Sequence, residues 1–243
     1  MAYRVAHISD LHFGRKSFSK ILKQLGASFI KNKIDHVICS GDVTDDGLEK
    51  QYAAYKNTLK EFVEGGRITS VCGNHDRLGD NIAKYIMPER VDVVETDDMY
   101  VIKVDSTAPH NKWLIYGCGI ICYQVLAKVE TLLETTPKNK TVIILLHHHL
   151  LPLPEETFWE KVAKKIGLPF ADELDLGNKL IEVATGKVDL ILYGHRHDFM
   201  SEFNFSNDRI LSVYNSGCTP KWKKYRVFSM EAGKIIDTEW VEF

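Results

Sequence analysis

Hydrophobic and polar positions follow two different periods along the first seventy residues. Short apolar runs at 3–9, 36–40 and 68–72 are typical of strands, because each is brief and rich in residues that favour β-structure. The segments between them, 18–30 and 47–63, carry apolar residues at helical spacing. The order strand, helix, strand, helix, strand predicts parallel strands that are joined by right-handed crossovers.

The pattern changes after residue 90. Short strands are predicted at 91–95, 100–104 and 113–116, and the segments between them are too short for helices, so antiparallel pairing is expected there. A helical pattern at 123–135 then leads to the apolar run 141–146, which is typical of a strand buried on both faces.

One more helix and five more strands are predicted in the last third of the chain. The helix spans 177–185, and the strands span about 188–193, 199–205, 209–215, 224–230 and 234–241. The stretch at about 150–176 is interpreted as an excursion between two core strands, lying over the site, rather than as a separate domain. The prediction is therefore one domain over residues 1–243.

Composition narrows the class of protein. A chain of 243 residues with 44% hydrophobic content can fill a core without disulfides, and Cys39 and Cys72 fall within apolar strand runs, as expected of reduced cytosolic thiols. The net charge is −2 and no long basic block is present, so neither a nucleic-acid arm nor a membrane patch is indicated. No segment reaches the roughly 20 apolar residues of a membrane span, and a cytoplasmic location is predicted.

Five short polar clusters stand where predicted strands end, and they contain seven of the ten histidines. The clusters are Asp10-Leu11-His12, Gly41-Asp42-Val43-Thr44-Asp45, Gly73-Asn74-His75-Asp76, His147-His148-His149 and Gly194-His195-Arg196-His197. In open α/β sheets, ligands bind beyond the carboxyl ends of the strands. The clusters therefore predict one shared site, although they are spread over nearly two hundred residues.

The residue types and spacing within the clusters indicate metal. Side chains at positions i and i+2 of a strand point the same way, so Asp10 with His12, and His195 with His197, form chelating pairs. The glycines that open three of the clusters allow the backbone to turn sharply and approach an ion. Carboxylate, imidazole and amide donors without thiolate suit Mn, Fe or Zn.

Taken together, these motifs resemble those of the calcineurin-like metallophosphoesterase superfamily over about residues 3–220. The patterns D-x-H, G-D-x-x-D, G-N-H-D, a histidine after a buried strand, and G-H-x-H are all present in that order. The segments at 9–12, 41–47 and 147–148 look most like class III cyclic-nucleotide phosphodiesterases and glycerophosphodiesterase-like enzymes. The resemblance implies an α/β (α+β) fold, a four-layer αββα sandwich of two mixed sheets with helices outside.

The resemblance also implies a ligand set for two divalent or trivalent ions. One site would contain Asp10, His12 and His197, the other Asn74, His147 and His195, and Asp42 would bridge them. Two such ions, about 3.5–4 Å apart, can hold a bridging hydroxide that attacks a phosphoester in line. The implied function is the hydrolysis of a small phosphodiester, of the cyclic nucleotide or glycerophosphodiester type.

Further residues receive roles from the resemblance or from their place beside the motifs. His75 would protonate the leaving oxygen or stabilise transition-state charge, and Asp45 is expected to orient it as a carboxylate–imidazole pair. Arg77 is expected to pair with phosphate, ahead of Arg15 and Arg196, because it directly follows the Gly-Asn-His-Asp motif.

In the histidine triplet, only one side chain need bind metal. His147 is the expected ligand, and His149 is the alternative because it points the same way. His148 is expected to contact the substrate or a ligand. Outside the triplet, His7, His36 and His110 are expected to be structural or surface residues.

Three other functions within the same superfamily stay open. Nucleotide-sugar or lipid-precursor pyrophosphatases generally carry an arginine where His75 stands. DNA exonuclease-like nucleases usually add a capping domain and a basic DNA face. Non-catalytic scaffolds of this fold have typically lost a ligand or the catalytic histidine, whereas this chain keeps all of them.

Overall fold

The computed structural model describes residues 2–107, 117–151, 174–198, 200–205 and 209–243. The strands in these ranges are β1 Tyr3–Ile8, β2 His36–Cys39, β3 Ile68–Ser70, β4 Val91–Glu95, β5 Met99–Val104, β6 Thr141–Leu145, β7 Leu190–Tyr193, β8 Glu202–Phe205, β9 Leu211–Asn215, β10 Lys224–Glu231 and β11 Lys234–Glu242. The helices are α1 Ser19–Lys31, α2 Glu49–Thr58, α3 Lys60–Glu64, α4 Ala83–Ile86, α5 Tyr123–Glu134, α6 Gly177–Ala184 and α7 Thr219–Trp222, with single 3-10 turns at Lys16–Phe18 and His75–Arg77.

The strands form two mixed sheets. The first has the order β11-β10-β1-β2-β3, in which β1, β2 and β3 are parallel, as predicted, and β10 is antiparallel to both of its neighbours. The second has the order β4-β5-β6-β7-β9-β8, in which the four inner strands are parallel and the two edge strands are antiparallel. The predicted change to antiparallel pairing after residue 90 is confirmed at β4 and β5.

Alternation along β6 shows how the second sheet is covered on both faces. Ile143 and Leu145 belong to the core that is shared with the first sheet, whereas Val142 and Ile144 belong to the core that contains Val129 of α5. All four β6 side chains are fully buried. The predicted burial of this strand on both faces is therefore confirmed.

The first sheet has the corresponding arrangement. On β10, Tyr225 packs against Phe29 of α1 with ring centroids 5.0 Å apart. The ring of Phe228, three residues along the same strand, lies 5.5 Å from that of Tyr214 on β9, in the second sheet. Two mixed sheets packed together with helices outside make the predicted αββα sandwich.

Several predicted elements differ in the structure. The helix predicted at 47–63 is two helices, because the chain bends at Leu59, which is buried together with Phe62. The short helices α4 and α7 were not predicted. The strand predicted at 113–116, His110 and most of the excursion at 150–176 lie outside the described residues.

The loops that follow β1, β2, β3, β6 and β7 meet at one edge of the sandwich. Main-chain hydrogen bonds join them: Asp10 N–H donates to the Gly41 carbonyl at 3.1 Å, and Gly194 N–H donates to the His147 carbonyl at 3.0 Å. The five polar clusters are thereby brought to one place. Within the described ranges, no helix is both long enough and apolar enough to cross a membrane.

Candidate metal centre

The carboxylate of Asp42 lies between imidazoles from the two sheets. Its Oδ1 accepts a hydrogen bond from His75 N–H at 2.9 Å. Its Oδ2 is 3.5 Å from His147 Nε2 and 3.7 Å from His12 Nε2. A single buried oxygen that faces two sets of nitrogen donors has the geometry of a shared ligand.

On one side of Asp42, three predicted ligands converge. His197 Nε2 lies 3.1 Å from Asp10 Oδ1 and 3.1 Å from His12 Nε2. Asp10 Oδ2 accepts a hydrogen bond from His195 N–H at 3.0 Å, whereas Asp10 Oδ1 is buried and accepts no well-formed hydrogen bond within the described residues. The convergence leaves an open carboxylate acceptor next to two imidazole nitrogens.

On the other side, His147 is oriented by the main chain. Its Nδ1 donates to the Ser40 carbonyl at 2.7 Å, and its Nε2 lies 3.2 Å from Asn74 Oδ1. A backbone carbonyl on one imidazole nitrogen is the usual way in which a metal-binding histidine is held. The ring of His195 lies 5.1 Å from that of His147.

The other two histidines of the triplet are buried beside this group. His148 Nδ1 is 2.8 Å from Ser106 Oγ, and the side-chain nitrogens of His147, His148 and His195 lie within 4.8 Å of one another. His149 stacks on His195 with ring planes 8° apart. Of the triplet, His147 is the residue that faces both Asp42 and Asn74, while the substrate contact expected of His148 stays a prediction.

The backbone at several predicted ligands has an uncommon conformation. The φ angles of Asp10, His12, Asp42 and His195 are 53°, 46°, 48° and 70°. Residues other than glycine seldom adopt this left-handed region. Such strain clusters at functional sites, where the surrounding structure holds it.

Glycines in two of the clusters allow the loops to approach the ligands closely. Gly41 has a φ of 97°, and a Cβ at this position would lie 2.5 Å from His147 Nδ1. A Cβ on Gly73 would overlap Asp42 Oδ1. Any larger residue at these positions would displace a predicted ligand.

Electrostatics in the cluster favour a bound cation. Burial opposes charge on His147, but the Asp42 and Asp10 carboxylates outweigh it and raise the pKa of this imidazole to about 9. Burial also acts to raise the pKa of Asp42, yet His147 and His75 hold that pKa well below its ordinary value. The carboxylates therefore attract positive charge to the point where His147 Nε2 faces them.

The environment favours the neutral form of two other imidazoles, His195 and His12. Burial, followed by the neighbouring histidines, holds the pKa of His195 well below its ordinary value, and burial lowers the pKa of His12. Neutral imidazoles and ionised carboxylates are the forms that bind metal. With the open oxygen of Asp10, this donor set fits transition-metal ions.

The expected carboxylate–imidazole pair between Asp45 and His75 needs correction. His75 Nδ1 lies 2.7 Å from the main-chain carbonyl of Asp45, not from its carboxylate. The Asp45 carboxylate instead lies 3.2 Å from His12 Nδ1 and binds the guanidinium of Arg15. The loop turns the side chain of Asp45 toward the first cluster, so Asp45 contacts both histidines through different atoms.

The environment of Arg77 also differs from the expectation of a phosphate contact. Its Nη2 donates to Asp105 Oδ2 at 2.5 Å, and its Nε donates to Thr107 Oγ1 at 2.8 Å. Asp105 is almost fully buried at the end of β5. The 3-10 turn at His75–Arg77 thus directs this arginine to a buried counter-ion, and the geometry favours a structural role.

Asp76 links two of the clusters. Its carboxylate accepts hydrogen bonds from Thr44 N–H and Gly73 N–H, both at 2.9 Å. Burial, then Asp42, raises the pKa of Asp76 to about 6 despite these bonds. Asp76 therefore fixes the loop after β2 to the loop after β3.

Two serines support the cluster and were not predicted. Ser40 orients His147, and Ser106 accepts or donates at His148 Nδ1 and bonds to the N–H groups of His147 and His148. Ser106 follows the end of β5, at the same edge as the metal motifs, so the strand-end rule applied to every polar residue would have found it. Ser40 acts through its main-chain carbonyl, which no residue type reveals. By contrast, His7 and His36 are buried, and their rings hydrogen-bond to the hydroxyls of Ser40 and Thr69. They are therefore structural residues, in agreement with the expectation.

Comparison with known proteins agrees with this geometry. The chain is 26% identical over 211 residues to a probable cyclic nucleotide phosphodiesterase of Coxiella burnetii, covering 80% of this chain and 76% of that protein. It is 25% identical over 215 residues to a probable glycerophosphodiester phosphodiesterase of Arcobacter nitrofigilis, covering 79% and 71%.

A solved structure shares the fold. A dimetal phosphatase of Danio rerio superposes with a TM-score of 0.62 at 10% identity, covering 99% of this chain and 98% of that one. Residues 3–199, most of the sequence, match the calcineurin-like phosphoesterase family. The chain therefore belongs to the calcineurin-like phosphoesterase family and is a phosphoric ester hydrolase.

Proposed function

We propose that this protein hydrolyses a small phosphodiester, of the cyclic nucleotide or glycerophosphodiester type, with two transition-metal ions (Mn, Fe or Zn). The observation that carries the proposal is the position of Asp42 Oδ2, within 3.7 Å of imidazole nitrogens from both sheets. The names of the two relatives support the choice of a diester, because both are phosphodiesterases.

In this proposal the ligands divide into two sets around Asp42. Asp10, His12 and His197 form one set, and Asn74, His147 and His195 form the other. When bound, the two ions would supply positive charge that polarises the phosphoryl group and lowers the pKa of water. The chain itself positions His12 beside the Asp45 carboxylate and orients His147 through the Ser40 carbonyl.

His75 would transfer the proton to the leaving oxygen. A carbonyl oxygen only accepts hydrogen bonds, so the contact with the Asp45 carbonyl requires a proton on His75 Nδ1. Nε2 is then the nitrogen that exchanges a proton with the substrate. After transfer, the neutral ring keeps its Nδ1–H on the same carbonyl, so its orientation does not change during the reaction.

A panel of esters tests the proposed substrate class. Purified protein would be supplied with Mn, Fe or Zn and assayed on bis-p-nitrophenyl phosphate, p-nitrophenyl phosphate, 3′,5′-cyclic nucleotides, glycerophosphodiesters and UDP-sugars. We expect hydrolysis of the diesters to exceed that of the monoester, and an Asp42→Asn variant to be inactive on all of them. Hydrolysis of the monoester or of UDP-sugars alone would refute the proposed substrate class.

A further inference from the structure

Arg15 lies in the turn directly after the Asp10–His12 motif. Arg15 N–H donates to the His12 carbonyl, and Phe18 N–H donates to the Arg15 carbonyl, each at 3.0 Å. These two bonds fix the backbone of Arg15 relative to a predicted metal ligand. The side chain is 34% exposed, so it borders both the protein and the solvent.

The guanidinium of Arg15 is held by its neighbours. Nε donates to Asp45 Oδ1 at 3.0 Å, Nη2 lies 2.8 Å from the same oxygen, and Cζ lies 5.3 Å from the centre of the Phe18 ring. The same Asp45 oxygen is 3.2 Å from His12 Nδ1, and the Asp45 carbonyl holds His75. Asp45 therefore connects the guanidinium to a predicted metal ligand, His12, and to the proposed proton donor, His75.

Arg15 retains hydrogen-bonding capacity. A guanidinium has five N–H donors, and the contacts with Asp45 occupy at most two of them. Nη1 makes no hydrogen bond to the described residues. The remaining donors can therefore bind a second acceptor without breaking the contact with Asp45.

Two other arginines, Arg77 and Arg90, are engaged with structural partners. Arg77 is bound to Asp105 and Thr107, and Arg90 donates to the carbonyls of Thr107 and Ile120 at 2.6 and 2.8 Å. Among the described residues, neither of their side chains hydrogen-bonds to Asp45 or to a predicted ligand. Of these three arginines, Arg15 is the one whose side chain contacts Asp45, which lies beside His12.

We propose that Arg15 binds a non-bridging oxygen of the substrate's phosphoryl group through its outer N–H donors, while Asp45 holds the guanidinium in place. This inference rests on the proposed function, because it assumes a phosphoester at the metal centre. Charge-assisted bonds from a planar guanidinium suit phosphate oxygens, and an arginine that is already oriented loses little freedom on binding.

Arg67 provides a matched control. Its Nη2 pairs with Glu61 at 2.9 Å, its Cζ lies 4.4 Å from the Phe62 ring, and its side chain is 37% exposed. It differs in place, because it stands immediately before β3, whereas the metal motif follows that strand. Replacing Arg15 or Arg67 by Ala therefore removes an ion pair and a ring contact in either case, but only Arg15 lies beside the candidate metal centre.

The test is calorimetric titration of metal-loaded protein with inorganic phosphate, together with metal analysis and diesterase kinetics. We expect Arg15→Ala to weaken phosphate binding by about 10- to 100-fold, the scale of hydrogen bonds to a charged group, and to raise KM for bis-p-nitrophenyl phosphate similarly. Arg15→Lys should recover only part of the affinity, because it lacks the planar fork. Arg67→Ala should match the wild type, and all three arginine variants should retain their metal.

Unchanged phosphate affinity in Arg15→Ala would overturn the inference. Loss of metal in Arg15→Ala would also overturn it, since Arg15 would then act through Asp45 and His12 rather than on the substrate. A wild-type protein that binds phosphate through Arg15 but does not hydrolyse diesters would refute the proposed function while supporting the phosphate contact. The two failures are thus distinguishable.

Discussion

The hydrogen bond from His75 Nδ1 to the Asp45 carbonyl, 2.7 Å long, fixes which ring nitrogen can act on a substrate. The adjacent N–H of the His75 backbone donates to Asp42 Oδ1, so the ring and its backbone are anchored on different residues of the same loop. A proton donor that is anchored in this way can be removed without removing a metal ligand.

Replacing His75 by Ala should therefore leave both metals bound and lower kcat by roughly 10²–10⁴, the usual effect of a positioned proton donor. The loss should be smaller for a p-nitrophenolate leaving group, which needs little protonation, than for an alkoxide such as that of a ribose 3′-ester. Steady-state kinetics on both esters and metal analysis measure this. Loss of metal would show that His75 is a ligand, and an equal loss on both esters would indicate charge stabilisation instead.

His36 is expected to make stability depend on pH. Burial, then Arg67, lowers its pKa from 6.5 to about 4. Between these values the unfolded chain binds a proton at His36 and the folded protein does not, so the free energy of unfolding falls as pH falls through this range and levels off below pH 4. The expected contribution is about 1–3 kcal/mol.

Urea unfolding of metal-free protein at pH 7 and pH 4.5 measures that contribution. In His36→Gln the difference between the two pH values should be smaller than in the wild type. Any loss of packing or of the bond to Thr69 lowers the free energy of unfolding at both pH values, so it cancels in the difference. An identical pH dependence in the two proteins would contradict the assignment.

For individual residues, the sequence predicted which ones converge but not which atoms make the contacts. The Asp45 side chain and the Asp45 carbonyl lie in the same motif, and only the path of the loop decides which of them meets His75. Arg77 is bound to Asp105, which lies 28 residues later, directly after a strand of the other sheet. Such long-range partners are not visible in a local motif.

Among the elements, every strand that the structure describes was predicted, whereas one predicted helix is split and two short helices were missed. The strands end where polar clusters begin, so the change from apolar to polar residues marks each boundary, as at β6 and His147. The bend at Leu59 was missed because α2 and α3 together keep an apolar spacing, and the burial of Leu59 and Phe62 depends on the sheet beneath them.

The loop after β3 should not tolerate a side chain at Gly73. In Gly73→Ala the new Cβ would overlap Asp42 Oδ1, so we expect loss of metal and of activity. Gly66→Ala is the control, because a Cβ there would meet nothing within 4 Å. Its φ of 63° predicts a stability loss of about 1–2 kcal/mol with full metal content.

Metal analysis and thermal unfolding of the two glycine variants separate these effects. Gly73→Ala that retained both metals would show that the loop can move away without disturbing Asp42. Loss of metal in Gly66→Ala would show that metal binding responds to general destabilisation rather than to this contact.

For the whole molecule, the metal centre depends on the packing of the two sheets. The first sheet supplies Asp10, His12, Asp42 and Asn74 from the loops after β1, β2 and β3, and the second supplies His147, His195 and His197 from the loops after β6 and β7. The order of the motifs was enough to predict this convergence. His147 was already the expected ligand of the triplet, whereas the Ser40 carbonyl that orients it, more than one hundred residues earlier, could not be read from the local motif.

Because both sheets contribute ligands, bound metal should stabilise the whole fold. Free metal at about 100 times its Kd stabilises a folded protein by about 2.7 kcal/mol per site, if the unfolded chain does not bind it. Addition of Mn or Zn to chelator-treated wild type should therefore raise Tm, and the rise should be much smaller in Asp42→Ala, which loses the shared ligand. An equal rise in both would place the stabilising metal elsewhere.

The most direct measurement is a metal titration of chelator-treated protein, in which bound metal and hydrolysis of bis-p-nitrophenyl phosphate are determined in the same samples. We expect no activity without metal, full activity when two ions are bound per chain, and loss of both ions in Asp42→Ala. Full activity of the metal-free protein, or full activity with a single ion, would contradict a dinuclear phosphodiesterase.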